Sequence, residues 1–261
     1  MRILSYLIIV VFFISSCGEQ EKEQLKQQSS EYQLLSTAWY QLSAERKALY
    51  YQAYNIAKKN VDDIITNKNI SNPAVVLDID ETVLDNSPYQ AWCIESDSLF
   101  SQRTWNKWVL QAKAEALTGA LDFTNYAKSK GVQVFYISNR HVSEMEQTIV
   151  NLRTAGFPNA STDYILLKEK TSDKTARRAA VSQNYTIALL IGDNLGDFDH
   201  LYDNRVEGNA HKIVEEQKEL FGNKFIILPN PMYGSWEKPY RNADETYINT
   251  LKRNLRKFKL N

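Results

Sequence analysis

The residues best placed to do chemistry are Asp78 and Asp80, in the run Ala74-Val75-Val76-Leu77-Asp78-Ile79-Asp80-Glu81-Thr82. Ala74 to Leu77, with Ile79, reads as a buried strand of a parallel sheet. In an open α/β sheet the ligand lies beyond the carboxyl ends of the strands, so both acids project into a crevice there. Period-two geometry puts their side chains on one side of the strand and turns Ile79 away into the packing. Two carboxylates so placed repel each other unless a cation or a shared proton intervenes. The arrangement suits a hard divalent metal with a nucleophile and a proton donor. A plain acidic turn capping the next helix is the alternative. Against it stand Thr82 at fixed spacing and three matching elements downstream.

Extended to Asp78-Ile-Asp-Glu-Thr-Val-Leu-Asp-Asn-Ser-Pro-Tyr89, the stretch resembles the first motif of the haloacid-dehalogenase superfamily. In this long form it is similar to the class C acid phosphatases, the lipoprotein 5′-nucleotidase family. Ser138-Asn139-Arg140 closes a second apolar strand at the same edge, where a hydroxyl and free N–H groups can bind a phosphoryl oxygen. It resembles the second motif, with Ser where Thr is usual. Lys174 opens a helix after Thr171-Ser172-Asp173. The macrodipole disfavours a cation there, so the lysine needs solvent or an anion. Gly192-Asp193-Asn194-Leu195-Gly196-Asp197-Phe198 follows another strand and resembles the family's second signature.

The resemblance implies a phosphoryl-transfer mechanism. Asp78 is the nucleophile, and Asp80 the acid and then the base. Ser138, Asn139 and Lys174 bind the phosphoryl oxygens. Mg²⁺ is held by Asp78, the Asp80 carbonyl and Asp193, an all-oxygen set. Asp197 orients Lys174 or a metal-bound water. Near the C-terminus, Pro229-Asn-Pro-Met-Tyr233-Gly-Ser-Trp236-Glu237 carries the family's Tyr-Gly-x-Trp-Glu signature. Tyr233 and Trp236, with Trp105 from Trp-x-x-Trp, then form a slot that stacks a nucleoside base. The expected activity is hydrolysis of nucleoside 5′-monophosphates and other small phosphomonoesters. A non-catalytic ligand-binding or adhesin lipoprotein, and a phosphotransferase on the same fold, are the alternatives. Retention of Asp78, Asp80, Lys174 and Asp193 argues against a binding-only role.

Strands alternating with helices must position these groups. The pattern predicts a Rossmann-like, doubly wound parallel sheet of the haloacid-dehalogenase type. The strands fall at 74–79, 132–137, 164–167, 186–191 and 225–228. A small, mostly helical cap is inserted at about 90–118, and an N-terminal helix over 32–66 packs alongside. Its apolar face is read as Leu35, Trp39, Leu42, Leu49, Ala53, Ile56 and Ile64, with Tyr50, Tyr51 and Tyr54 packed on or beside it.

Residues 1–16 have a basic start, a short apolar core and the layout of a secretory signal, too short to span a membrane. Ile14-Ser15-Ser16-Cys17 resembles a bacterial lipobox, with Cys17 lipidated and 17–30 a polar tether. The phosphatase domain is then 31–261. That implies an exported lipoprotein anchored to the cell envelope, at the outer membrane in a double-membrane cell. With Cys17 acylated, Cys93 has no intrachain partner and no disulfide is expected. Charge balances at 31 basic and 31 acidic residues with no long basic block, so no nucleic-acid polymer is called for as partner. A small phosphomonoester and the membrane are the expected partners, and a homodimer is left open.

Overall fold

A computed structural model of the chain describes residues 30–66, 70–205, 208–241 and 246–258. The expected signal, lipidated Cys17 and nearly all of the tether lie outside these residues. In chain order the elements are α1 (Leu34–Leu42), α2 (Ala44–Thr66), β1 (Pro73–Leu77), β2 (Leu84–Asp85), α3 (Ser87–Glu95) and α4 (Gln102–Val109). There follow β3 (Glu115–Ala116), α5 (Ala120–Ser129), β4 (Gln133–His141), α6 (Met145–Thr154) and β5 (Ile165–Lys168). The chain continues with α7 (Thr175–Ser182), β6 (Thr186–Gly192), α8 (Asn209–Glu216), β7 (Phe225–Ile227) and α9 (Tyr247–Asn254).

Five strands form a parallel sheet in the order β5-β4-β1-β6-β7, with the acidic strand at its centre. Each central strand is apolar on both faces because helices cover both. Val75, Leu77 and Ile79 pack into one core with Tyr54, Phe123 and Leu152, from α2, α5 and α6. Ala74 and Val76 face the other, with Val181 of α7 and with Ile213 and Val214 of α8. Ile79 is fully buried, as the period-two reading requires. The cap is the excursion between β2 and β3, which pair antiparallel, with α3 and α4 between them.

Two readings are corrected. The N-terminal run is two helices, because Ser43 is extended and its Oγ accepts the Arg46 N–H (3.1 Å), starting α2 afresh. The expected face holds along α2, where Ala53 and Ile64 are buried and Ile56 packs on the core, but fails on α1, where Leu35 and Leu42 are 83% and 82% exposed and Tyr40 is buried instead. The second strand does not stop at 137. It continues through Ser138-Asn139-Arg140 to His141, which pairs with Lys168 of β5 beyond an irregularity.

The buried tyrosines brace the active-site loop. Tyr50 Oη donates to the Glu81 carbonyl (2.5 Å) and Tyr54 Oη to the Thr82 carbonyl (2.7 Å). Tyr40 and Tyr50 share a hydroxyl contact of 2.6 Å. Glu81 sits at φ 56°, an unfavourable backbone for a side chain of its size, and these contacts hold it there.

Candidate active site

Asp78 leaves β1 with its N–H bound to the Ile191 carbonyl (2.9 Å), so the neighbouring strand fixes the backbone under the carboxylate. Lys174, at the N-cap of α7, reaches this carboxylate from the crossover between β5 and β6 and is 3% exposed. Its Nζ also contacts Asp197 Oδ1 (2.7 Å) and the Ile137 carbonyl (2.6 Å). The macrodipole problem is thus answered by anions, and all three ammonium protons have acceptors. Burial alone would lower the lysine's pKa, but Asp197 and Asp78 outweigh it and raise it. Burial pushes Asp78 up to about 7, opposed by Lys174 and reinforced by Asp197 and Asp80.

Asp193 closes the third side. Its carboxyl accepts from Asn230 Nδ2 (2.8 Å), with the Thr82 hydroxyl at 3.4 Å. Removal from water, then the charges of Asp197 and Asp78, hold it well above the usual carboxylate range. Asp197 has one oxygen on Lys174 and the other on the Asn194 N–H (2.9 Å), which together fix its orientation. Gly192 is required for a reason the sequence does not disclose: a Cβ there would lie 2.3 Å from Asp197 Oδ2.

Asp78, Asp193 and Asp197 bring carboxylate oxygens within 4.8 Å of one another. Three acids share one lysine, and two of them have raised pKa values. An oxygen-only set with uncompensated negative charge fits a hard divalent cation.

Asp80 is held apart from this cluster. Arg140 grips it through Nε (2.9 Å) and Nη2 (2.8 Å), Asn86 Nδ2 donates to Oδ1 (2.8 Å), and Ser138 Oγ to Oδ2 (3.2 Å). Ser138, expected on phosphate, has its hydroxyl on the Asp80 carboxylate in the wall of the cavity. Asn139 lines the same wall and accepts from Arg177 Nη2 (2.7 Å).

A cavity of about 740 Å³ opens over these groups. Trp105 lines it from the cap, packed against Tyr89 (5.3 Å between centroids), and Tyr233 lines it from the loop after β7. Trp236 adjoins the cavity between two lining residues, Ser235 and Glu237, and is 41% exposed. Gly234, extended at φ 155° and ψ 177°, lies between Tyr233 and the short helical turn Ser235–Tyr240 that carries Trp236. Tyr32 and Gln33, before α1, complete the rim and went unassigned in the sequence. Arg140, Asn86 and Asn230 were likewise unassigned, although the first two lie inside the quoted motifs.

A buried carboxylate against a lysine, with an acid cluster fit for a cation at the carboxyl edge of a parallel sheet, marks a haloacid-dehalogenase-like α/β protein. The model of the haloacid-dehalogenase (HAD) superfamily, subfamily IIIB (acid phosphatase), matches residues 17–236, and the chain belongs to that family. The class C acid phosphatase from Bacillus anthracis superposes with a TM-score of 0.83 at 40% identity, over 90% of this chain and 99% of that one. A tungstate-bound structure of that protein gives the same TM-score and identity over 88% and 99%. The stem 31 kDa glycoprotein of Glycine max is 30% identical over 168 residues, 62% of this chain and 59% of its own length. Acid phosphatase 1 of Solanum lycopersicum is 26% identical over 162 residues, 60% of this chain and 57% of its own length. The matches thus span somewhat under two thirds of these two plant relatives.

Proposed function

We propose that the chain is an envelope-anchored, Mg²⁺-dependent acid phosphatase that hydrolyses nucleoside 5′-monophosphates and other small phosphomonoesters through an aspartyl-phosphate. One observation carries the reading. Asp78 lies on the floor of a 740 Å³ cavity against Lys174, while Arg140 holds the second carboxylate, Asp80, apart from it. Two acids in such different surroundings suit two different roles.

Asp78 attacks phosphorus as the bond to the leaving oxygen breaks. Asp80 gives its proton to that oxygen, then takes one from the water that hydrolyses the acyl phosphate. Lys174 favours the ionised form of Asp78 against burial and offsets charge on the transferred group. Asp78, Asp193 and the Asp80 carbonyl would hold Mg²⁺, which when bound supplies positive charge to the non-bridging oxygens. The cavity exceeds what inorganic phosphate needs and presents Trp105 and Tyr233, which supports a substrate with a flat base. Export and acylation at Cys17 rest on the Ile-Ser-Ser-Cys string.

The decisive assay is a phosphomonoester panel run with Mg²⁺ and with a chelator, on wild type and Asp78→Asn. Hydrolysis that needs the ion and Asp78 and favours nucleotides is expected. Substantial turnover by the variant would sink the covalent mechanism.

A further inference from the structure

Asp80 is gripped by two groups that are themselves held from the cap. Asn86 is fully buried. Its Oδ1 accepts the indole N–H of Trp108 (2.7 Å), and its Nδ2 donates to Asp80 Oδ1 (2.8 Å). An indole nitrogen can only donate, so Trp108 fixes which end of the amide faces Asp80. Arg140 is also buried, and its guanidinium lies 5.7 Å from the Trp105 ring centroid while it clasps Asp80. Trp105 and Trp108 are one turn apart on α4. Trp105 lines the cavity, but Trp108 is not in its wall and packs toward the core.

We propose that cap helix α4 positions the acid–base carboxylate of Asp80 through Trp108–Asn86 and Trp105–Arg140. Resting on the phosphatase reading, this makes Trp108 a positioning residue for proton transfer with no contact to substrate. In the step concerned, the Asp78–phosphorus bond forms, the bond from phosphorus to the leaving oxygen breaks, and the Asp80 proton moves to that oxygen. A misplaced carboxyl therefore harms substrates according to how badly their leaving group needs the proton.

The test is Trp108→Phe, which removes the N–H but keeps a ring, assayed as kcat/KM on glycerol phosphate and p-nitrophenyl phosphate. Orthovanadate inhibition is measured beside it as a readout of phosphoryl-site integrity. The expected loss is about tenfold or more on glycerol phosphate and under about threefold on the nitrophenyl ester, with vanadate affinity kept. Asn86→Ser, which cuts the same link and leaves Trp108 in place, should repeat the split should Trp108→Phe lose vanadate binding. Equal losses on both esters, or no loss on either, would overturn the positioning role while leaving the phosphatase reading intact. Loss of vanadate binding in both variants would also overturn it, since the link would then hold up the fold. Wild type without Asp78-dependent turnover would overturn both.

Discussion

Lys174→Met tests the charge balance at the centre of the site. The methionine nearly matches the lysine stem in volume, so the change removes the ammonium and little packing. Lys174 is buried with its Nζ on Asp78 and Asp197, and taking one partner from a buried ion pair costs about 3–5 kcal/mol. For a chain of this size that is roughly 6–20 °C in Tm. The sign with pH follows from the carboxylates. Asp78 already sits at about 7 in the native protein, chiefly through burial, and the lysine is what opposes the rise. Without it Asp78 shifts further up, so the variant's deficit is full where that carboxyl would be charged. It shrinks as pH falls and Asp78 protonates. Thermal melts of both proteins at pH 8 and pH 5 in chelator should show the large gap at pH 8 and a much smaller one at pH 5. Added Mg²⁺ should narrow the pH 8 gap by supplying another cation. A gap that is the same at both pH values, or below about 2 °C at pH 8, would refute the reasoning.

Asp78→Asn should abolish turnover without lowering Tm at pH 8 in chelator. The raised carboxyl of Asp78 makes the native protein lose stability as pH rises from about 4 through about 7, and Asn removes that liability. Gly192→Ala places a methyl 2.3 Å from Asp197 Oδ2, so it should displace Asp197 from Lys174 and cost about 1–3 kcal/mol, read by denaturant unfolding. Tyr233→Ala should cost about 1–3 kcal/mol in kcat/KM on adenosine monophosphate and little on glycerol phosphate. Trp236→Ala, outside the cavity wall, should change the ratio of the two by less than about twofold. Cys17→Ser should move the protein from the membrane fraction to a soluble or unprocessed form, and unchanged membrane association without retained signal peptide would count against acylation.

The candidate groups on strand ends were legible because each lies just past, or near the end of, an apolar run that announces its own strand. Asp78, Ser138 and Asp193 need only the rule that such strands end at one edge. Lys174 was legible from its awkward place at a helix start. What orients these groups was not. Arg140 meets Asp80 across 60 residues and Trp108 meets Asn86 across 22, contacts set by strand order and the fold-back of the cap. The tyrosines of α2 were counted as packing, which their burial bears out for Tyr50 and Tyr54 and not for Tyr51. Their hydroxyls do more, reaching Glu81 and Thr82 across 31 and 28 residues. Spacing in the shared signature does not disclose that Tyr233 lines the cavity while Trp236 sits beside it on the short turn 235–240, 41% exposed.

The two acids of the opening motif are two residues apart, yet their environments come from different parts of the chain. Asp78 is paired with a lysine delivered by the crossover between β5 and β6, and its neighbours are further acids. Asp80 is clasped by an arginine from β4 and an asparagine fixed by the cap. Desolvation is therefore the dominant influence on the first, and directed hydrogen bonds are the dominant influence on the orientation of the second. On the proposed mechanism, that division lets near neighbours on one strand end take the roles of nucleophile and proton carrier. It would also place the burden of orienting the proton carrier on the cap, which borders the cavity. A change in cap packing would then reach proton transfer through Asn86 and Arg140, even where it leaves the bed of the phosphoryl group untouched.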